Sequence, residues 1–154
     1  MKKILLIGAM ILVLAEVILL GQVAQAKPPA YTLKEAEPGL PLHGEMTVQG
    51  KALGVIRTSI GAALTSMGWK VLSEGPGRPP MPAYSYAAVK YPTSDPNQRQ
   101  GLFLDLEVNG GKITIIADWY LVAQDPKRPK AQAKQFYDAF FDKVAELLYG
   151  KVEK

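Results

Sequence analysis

The sequence predicts an α+β fold, a two-layer sandwich in which an antiparallel sheet of four to five strands carries two helices on one face. Two segments have apolar residues at helical spacing, several segments alternate apolar and polar residues, and "NGG" at 109–111 is a hairpin turn signal. Two amphipathic helices need a shared apolar surface, which the alternating strands supply. The predicted order of elements is β-α-β-β-β-β-α. These elements are predicted to form a single domain over 45–150, because a chain of 154 residues is long enough for one hydrophobic core.

The two helices are predicted from their apolar faces and from the glycines at their ends. The first covers 53–67, and Gly68 follows it in the position of a left-handed cap. Gly61, inside this helix, is expected to allow close packing against the sheet. The second helix covers about 131–149, and Gly150 ends it.

The predicted strands follow the alternation of apolar and polar residues. In the second of them Trp69, Val71 and Ser73 share one face. Trp69 has two interpretations, a buried anchor beneath the first helix or a ring that stacks on a ligand. The strands are "EMTV" (45–48), "WKVLSE" (69–74), "AYSYAAVKY" (83–91), "LFLDLEV" (102–108) and "KITIIADWYLV" (112–122).

The hairpin between the last two strands has two possible loops. A loop at Asn109-Gly110 places Leu106 opposite Ile113, and a loop at Gly110-Gly111 keeps the same faces together. In both registers the strands have one face directed toward the helices.

The ends of the chain are interpreted as a targeting segment, a leader and a frayed terminus. Residues 1–26 combine two lysines, an apolar run and Ala24-Gln25-Ala26, the small-x-small pattern that signal peptidase cuts. The alternative is an uncleaved membrane anchor, which Glu16 within the apolar run disfavours. Residues 27–44 contain four prolines and are predicted to form an extended leader, and 151–154 are predicted to fray. The pattern looks bacterial and predicts export to the periplasm or the cell exterior.

A short apolar motif resembles part of a group of small secreted bacterial proteins and lipoproteins of unknown function. The motif consists of Ile56, Ile60, Leu64, Gly68-Trp69 and Val71, followed by strands and an aromatic-bearing last helix with Phe136-Tyr137 and Phe140-Phe141. The element order is also similar to that of the lipopolysaccharide-assembly lipoprotein E class. The sequence departs from that class because it has no lipobox cysteine, and neither resemblance implies an activity or site residues.

The residue inventory excludes several kinds of chemistry. The chain has no cysteine and a single histidine, His43, so thiolate sites, cysteine nucleophiles and multi-histidine metal centres are excluded. No phosphate-binding loop, dinucleotide fingerprint or nucleophile–base motif occurs. Asp105, Glu107 and Asp118 could form a carboxylate cluster for a cation or for acid–base catalysis, or could be alternating acids on a wet sheet face. We therefore expect no enzymatic activity, no cofactor and no resident metal.

Two surfaces remain as candidates for binding. Phe103, Ile116 and Tyr120 should point away from the helices, where a polar face is expected, and Tyr84 or Tyr86 could join them. The densest basic patch could contact phosphate or anionic lipid, or could simply be solvated; it comprises Lys127, Arg128, Lys130 and Lys134. With a net charge of only +4, nucleic-acid binding is not expected.

These observations predict a non-enzymatic, exported envelope protein that binds an envelope protein or an apolar ligand through its open sheet face. If residues 1–26 were retained instead of cleaved, the protein would be a membrane-tethered assembly factor. The carboxylate cluster keeps a carboxylate-dependent enzyme or a cation-binding protein as a further alternative.

Overall fold

A computed structural model describes residues 28–35, 42–77, 82–92, 94, 98–121 and 130–150. Its six strands form one open antiparallel sheet in the order β1-β2-β6-β5-β4-β3. The α+β class is confirmed, and the sheet has six strands rather than the predicted four to five. The elements are β1 (Tyr31–Glu35), β2 (Leu42–Gln49), α1 (Leu53–Ser66), β3 (Lys70–Gly75), β4 (Tyr84–Lys90), β5 (Gln100–Asn109), β6 (Lys112–Leu121) and α2 (Lys130–Tyr149).

Both helices contribute to a single hydrophobic core on one face of the sheet. Ile56, Ile60 and Leu64 of α1 are fully buried, as are Tyr137 and Phe140 of α2. The sheet supplies the opposite wall, because every second residue of its central strands is buried in the same cluster. The apolar side chains that cross the sheet there are Met46, Val48, Tyr84, Tyr86, Ala88, Leu102, Leu104, Leu106, Ile113, Ile115, Ala117 and Trp119.

The additional strand lies where the sequence predicted an extended leader. Residues 31–35 form the edge strand β1, and β2 begins at Leu42 rather than at Glu45. The prediction of a leader over 27–44 was therefore wrong for these segments. Tyr31 and Leu33 pack against the core, and the Tyr31 ring stacks on Phe141 with centroids 5.1 Å apart. Burial of these side chains against α2 fixes β1 despite the prolines around it.

The β5–β6 hairpin turns at Gly110-Gly111. Both glycines have positive φ, 55° and 79°, as a tight two-residue hairpin loop requires. This register pairs Leu106 with Ile115 and Val108 with Ile113, so the same faces meet as predicted. The alternative pairing of Leu106 with Ile113 does not occur.

The segment after α1 matches the prediction up to an irregularity in β3. Gly68 has a φ of 76°, which is the left-handed cap expected there. The register of β3 shifts between Val71 and Ser73, so that Val71 pairs with Ala88 but Ser73 pairs with Ala87. Val71 and Ser73 therefore point to opposite faces, and the prediction of a shared face was wrong. A β-bulge of this kind reverses the alternation beyond it.

Candidate functional site

The face of the sheet opposite the helices carries the residues predicted to bind a partner. No described helix or strand packs over it, since both described helices lie on the other side. Its side chains mix apolar, acidic and neutral polar groups. Reading across β2, β6 and β5, the rows are His43–Asp118–Phe103, Glu45–Ile116–Asp105 and Thr47–Thr114–Glu107.

Phe103 and Tyr120 form an aromatic pair on this open face. Their rings stack with centroids 5.6 Å apart and an angle of 21° between the planes. The pair depends on Gly101, which lies directly opposite Tyr120 across the two strands. A Cβ added at Gly101 would lie 2.1 Å from Tyr120 Cζ, so the tyrosine ring occupies the space above the glycine.

Phe103 connects the three residues of the predicted surface. Its direct partner on β6 is Asp118, which places Ile116 and Tyr120 at the two diagonal positions. Such diagonal neighbours lie about 7–8 Å apart, within reach of an aromatic side chain. Phe103 is 51% exposed, whereas Ile116 and Tyr120 are half-buried. The structure therefore brings all three predicted residues together with Phe103 at the centre.

An ion-pair cluster on β1 and β2 borders this aromatic pair. The Lys34 ammonium donates to Glu45 Oε2, and His43 Nε2 lies 3.2 Å from Glu45 Oε1. The hydrogen bond from Lys34 holds the pKa of the Glu45 carboxyl below its ordinary value, with His43 contributing less and partial burial opposing the shift. Glu45 thus stays ionised on the open face. Sequence reasoning missed this cluster because it assigned Lys34 and His43 to a leader.

The three carboxylates considered for catalysis or cation binding lie at separate positions on the open face of β5 and β6. Asp105 lies opposite Ile116 and accepts a hydrogen bond of 2.6 Å from the Ser85 hydroxyl. Asp118 lies opposite Phe103, and Glu107 lies opposite Thr114. Within the described ranges, no three histidine, aspartate or glutamate side chains are grouped closely enough to hold a metal ion.

The remaining predicted residues fall elsewhere. Tyr84 and Tyr86 do not join the open face, because both are buried on the helix side with 7% and 3% exposure. Lys134 forms an ion pair of 2.7 Å with Asp138 on α2. Lys127, Arg128, Ala24 and Ala26 lie outside the described residues, as do the side chain of Lys130 and the segments 1–26 and 151–154.

Trp69 is buried, as its anchor interpretation predicted. It is 5% exposed and contacts Phe136 of α2 edge to face, with ring centroids 5.4 Å apart. It therefore packs against the second helix as well as following the first. It also lines a cavity at one end of the sheet.

An apolar cavity of about 570 Å³ lies on the helix side, between the segment leading into β1 and the C-terminal half of α2. Pro28, Pro29 and Tyr31 form one wall, and Phe141 and Ala145 form the other. The open face and this cavity lie on opposite sides of the sheet.

No protein-family model matches the chain, and no curated protein matches it in sequence. Among the helices that the structure describes, none combines the length and the apolar character needed to cross a bilayer.

Proposed function

We propose that this chain is a non-enzymatic, exported bacterial envelope protein that binds a polypeptide partner through its open sheet face. The observation that carries the proposal is the exposed Phe103–Tyr120 stack. A sheet covered by helices on one side is ordinarily polar on the other, so an aromatic pair there, half-exposed at Phe103, favours a contact surface.

The charge around the aromatic pair indicates the chemistry of the partner. Asp118 lies opposite Phe103, and Asp105 and then Glu107 follow Phe103 on the same face of β5. Glu45 adds a carboxylate that Lys34 partly neutralises. This acidic border contrasts with the net charge of +4 of the whole chain. A segment with an apolar side chain for the Phe103 region and lysines or arginines at its rim would complement both features.

The proposal of export rests on residues 1–26, whose basic start, apolar run and Ala24-Gln25-Ala26 fit a cleaved signal peptide. Intact mass of the protein recovered from the envelope tests this directly. A chain that begins at Lys27 supports export without a tether. A mass that includes residues 1–26 supports the membrane-tethered assembly factor instead.

Site-specific photo-crosslinking in the native envelope tests the open face. A photoreactive phenylalanine replaces Phe103 in one variant and Val55 of α1 in the matched control. The two side chains have almost equal exposure, 51% and 50%, but lie on opposite sides of the molecule. We expect a discrete adduct at 103 only, with lysine or arginine in the crosslinked peptide of the partner.

The double variant Phe103→Ser with Ile116→Thr supplies the second measurement. It should abolish recovery of that adduct partner while changing the free energy of unfolding by about 1 kcal/mol or less, as for surface substitutions. Val55→Ser is the control and should leave recovery unchanged. Equal adducts at 103 and 55, or full recovery with the double variant, would show that this face is not the binding surface.

A further inference from the structure

An apolar diagonal crosses the open face of the sheet. Phe103 on β5 has Ile116 at one diagonal position on β6, and Val89 lies at the opposite diagonal position on β4. Val89 belongs to this face because its neighbour Ala88 is buried in the core on the other side. The three side chains therefore follow one line across three neighbouring strands, with about 7–8 Å between successive positions. Phe103, at the centre, is the most exposed of the three.

Carboxylates lie on both sides of this apolar diagonal. Asp118 on β6 is directly opposite Phe103, and Asp105 on β5 is directly opposite Ile116. The line that joins the two aspartates therefore crosses the line from Phe103 to Ile116. One aspartate falls on each side of the apolar diagonal, next to its exposed centre.

Each side also has a second carboxylate. Glu45 lies on β2 beside Ile116, on the same side of the diagonal as Asp118. Glu107 lies two residues beyond Asp105 on β5, on the other side. An ionised carboxylate has about four acceptor sites, so the hydrogen bonds that Glu45 and Asp105 already accept leave room for further donors. The open face thus presents an apolar line with two acids on either side.

This arrangement matches an α-helix better than an extended strand. Residues at i, i+3, i+4 and i+7 of a helix form one apolar stripe, and the positions beside the stripe are directed toward both flanks. Lysine or arginine at those positions can lay its stem along apolar surface while the charged head reaches a carboxylate beside it. A strand directs alternate side chains toward the face and the others away. It therefore offers a single row, which can match the apolar line or the acids but not both.

We infer that the partner segment bound by the open face is a basic amphipathic helix, laid along the apolar diagonal with lysine or arginine on both of its flanks. The helix adds a conformation and a charge pattern to the partner proposed above, and so rests on the binding role proposed for this face. Charge complementarity favours this occupant over a second copy of the chain docked through the same face, because two copies would place acids against acids.

Binding of designed peptides to the full protein tests the conformation of the partner. The test peptide has about 18 residues, about 27 Å as a helix, with leucine at helical spacing, lysine on both sides of the leucine stripe and alanine elsewhere. One control peptide has the same composition but alternates leucine with lysine, as suits a strand. The other has proline in place of one central alanine, which breaks the helix.

We expect the test peptide to bind at least about tenfold more tightly than either control peptide. Its circular dichroism should become more helical on binding. The backbone amide resonances of Val89, Phe103 and Ile116 should shift, because the helix lies over these residues.

Removal of the carboxylates on each side tests the position of the helix. Asp105→Asn with Glu107→Gln should weaken binding of the test peptide by about tenfold at low ionic strength, and Glu45→Gln by about threefold. The matched control is Asp138→Asn with Glu146→Gln, which removes the same charge from α2 on the other side of the sheet and should leave binding unchanged. Melting temperatures verify that each variant is folded.

Photo-crosslinking at Phe103 separates the helix from the proposed function. If adducts form equally at Phe103 and Val55, or at neither, the proposed function fails and the helix fails with it. A specific adduct at Phe103 retains the binding role but overturns the helix if the crosslinked segment alternates apolar and polar residues or belongs to a second copy of this chain. The helix is also overturned if either control peptide binds as tightly as the test peptide, or if the open-face variants bind it as the α2 variant does.

Discussion

The hydroxyl of Tyr137 accepts a hydrogen bond of 2.9 Å from the backbone N–H of Trp119. The same hydroxyl donates to the carbonyl oxygen of Leu42 at 2.7 Å. These two backbone groups lie on β6 and β2 beside the last residue pair of their ladder, His43 with Asp118. One side chain of α2 thus continues the hydrogen bonding of the sheet beyond the point where the two strands stop pairing, and ties the helix to the sheet.

We expect Tyr137→Phe to lower the free energy of unfolding by about 2 kcal/mol, because two backbone groups would lose a shared partner in a buried site. Tyr91→Phe is the control, since the Tyr91 ring is 56% exposed and its change should stay within about 0.5 kcal/mol. Denaturant unfolding of both variants measures the difference. Equal stability of Tyr137→Phe and the unaltered protein would show that this bridge contributes nothing.

Gly44 of β2 provides the space that brings α2 against the sheet. A Cβ at this position would lie 2.5 Å from Phe141 Cε2 and 2.8 Å from Tyr137 Cδ1, both on rings fixed in the core. Gly44→Ala should therefore destabilise the fold by about 1–3 kcal/mol through overpacking.

Gly61→Ala is the matched control with the opposite expected sign. Nothing lies within 4 Å of a Cβ at Gly61, so the expectation that this glycine packs closely on the sheet was wrong. Alanine inside α1 should stabilise the protein by about 0.5–1 kcal/mol, because glycine has the greater conformational freedom in the unfolded chain. Thermal melts of the two variants should move in opposite directions. If the Gly44→Ala protein melts at or above the melting temperature of the unaltered protein, the space at Gly44 is not needed for α2 to pack against the sheet.

Trp69→Ala should lower the free energy of unfolding by about 3–5 kcal/mol, since it empties a site that contacts Phe136 and is almost fully buried. Leu72→Ala on the edge strand β3, which begins directly after Trp69, is the control, because Leu72 is 59% exposed and should cost about 0.5 kcal/mol or less. Denaturant melts measure both values. A loss below about 1 kcal/mol at Trp69 would refute its role as an anchor.

The faces of the sheet could be predicted from the sequence, but the position of each residue relative to its neighbours could not. Alternation along β5 and β6 is a property of each strand alone, and it correctly directed Phe103, Ile116 and Tyr120 to one side. The register depends on which two residues form the turn, and Asn109-Gly110 and Gly110-Gly111 were equally acceptable. The diagonal placement of Ile116 and Tyr120 around Phe103 follows from the register and so required the structure.

The edge strand β1 and the cavity beside Trp69 could not be predicted from local patterns, for a different reason. β1 has only five residues between prolines, and it is held by pairing with β2 and by the contact of Tyr31 with Phe141, 110 positions later in the chain (141 minus 31). The bond between Trp119 and Gln100 likewise joins residues 19 positions apart. Neither contact leaves a signal in the spacing of nearby residues. Lys34 and His43 were assigned to a leader because β1 and the first residues of β2 were missed.

Lys34 controls the ionisation of Glu45 at the border of the open face. The Lys34 hydrogen bond is the main cause of the lowered pKa of Glu45, so Lys34→Met should raise that pKa toward its ordinary value. Titration of the Glu45 side-chain carboxyl by NMR measures the shift. Lys112→Met at the hairpin is the control and should leave the titration of Glu45 unchanged.

The lowered pKa of Glu45 also fixes the sign of the dependence of stability on pH. Because the pKa of Glu45 is lower in the folded chain, its contribution to stability is complete above the unfolded value, about 4.3, and is lost as the pH falls through the folded value. Lys34 is 55% exposed, so the contribution should be small, about 0.2–1 kcal/mol. The difference in unfolding free energy between Lys34→Met and the unaltered protein should therefore be present at neutral pH and shrink in acid. A difference that grows on acidification would contradict the assignment of Lys34 as the group that keeps Glu45 ionised.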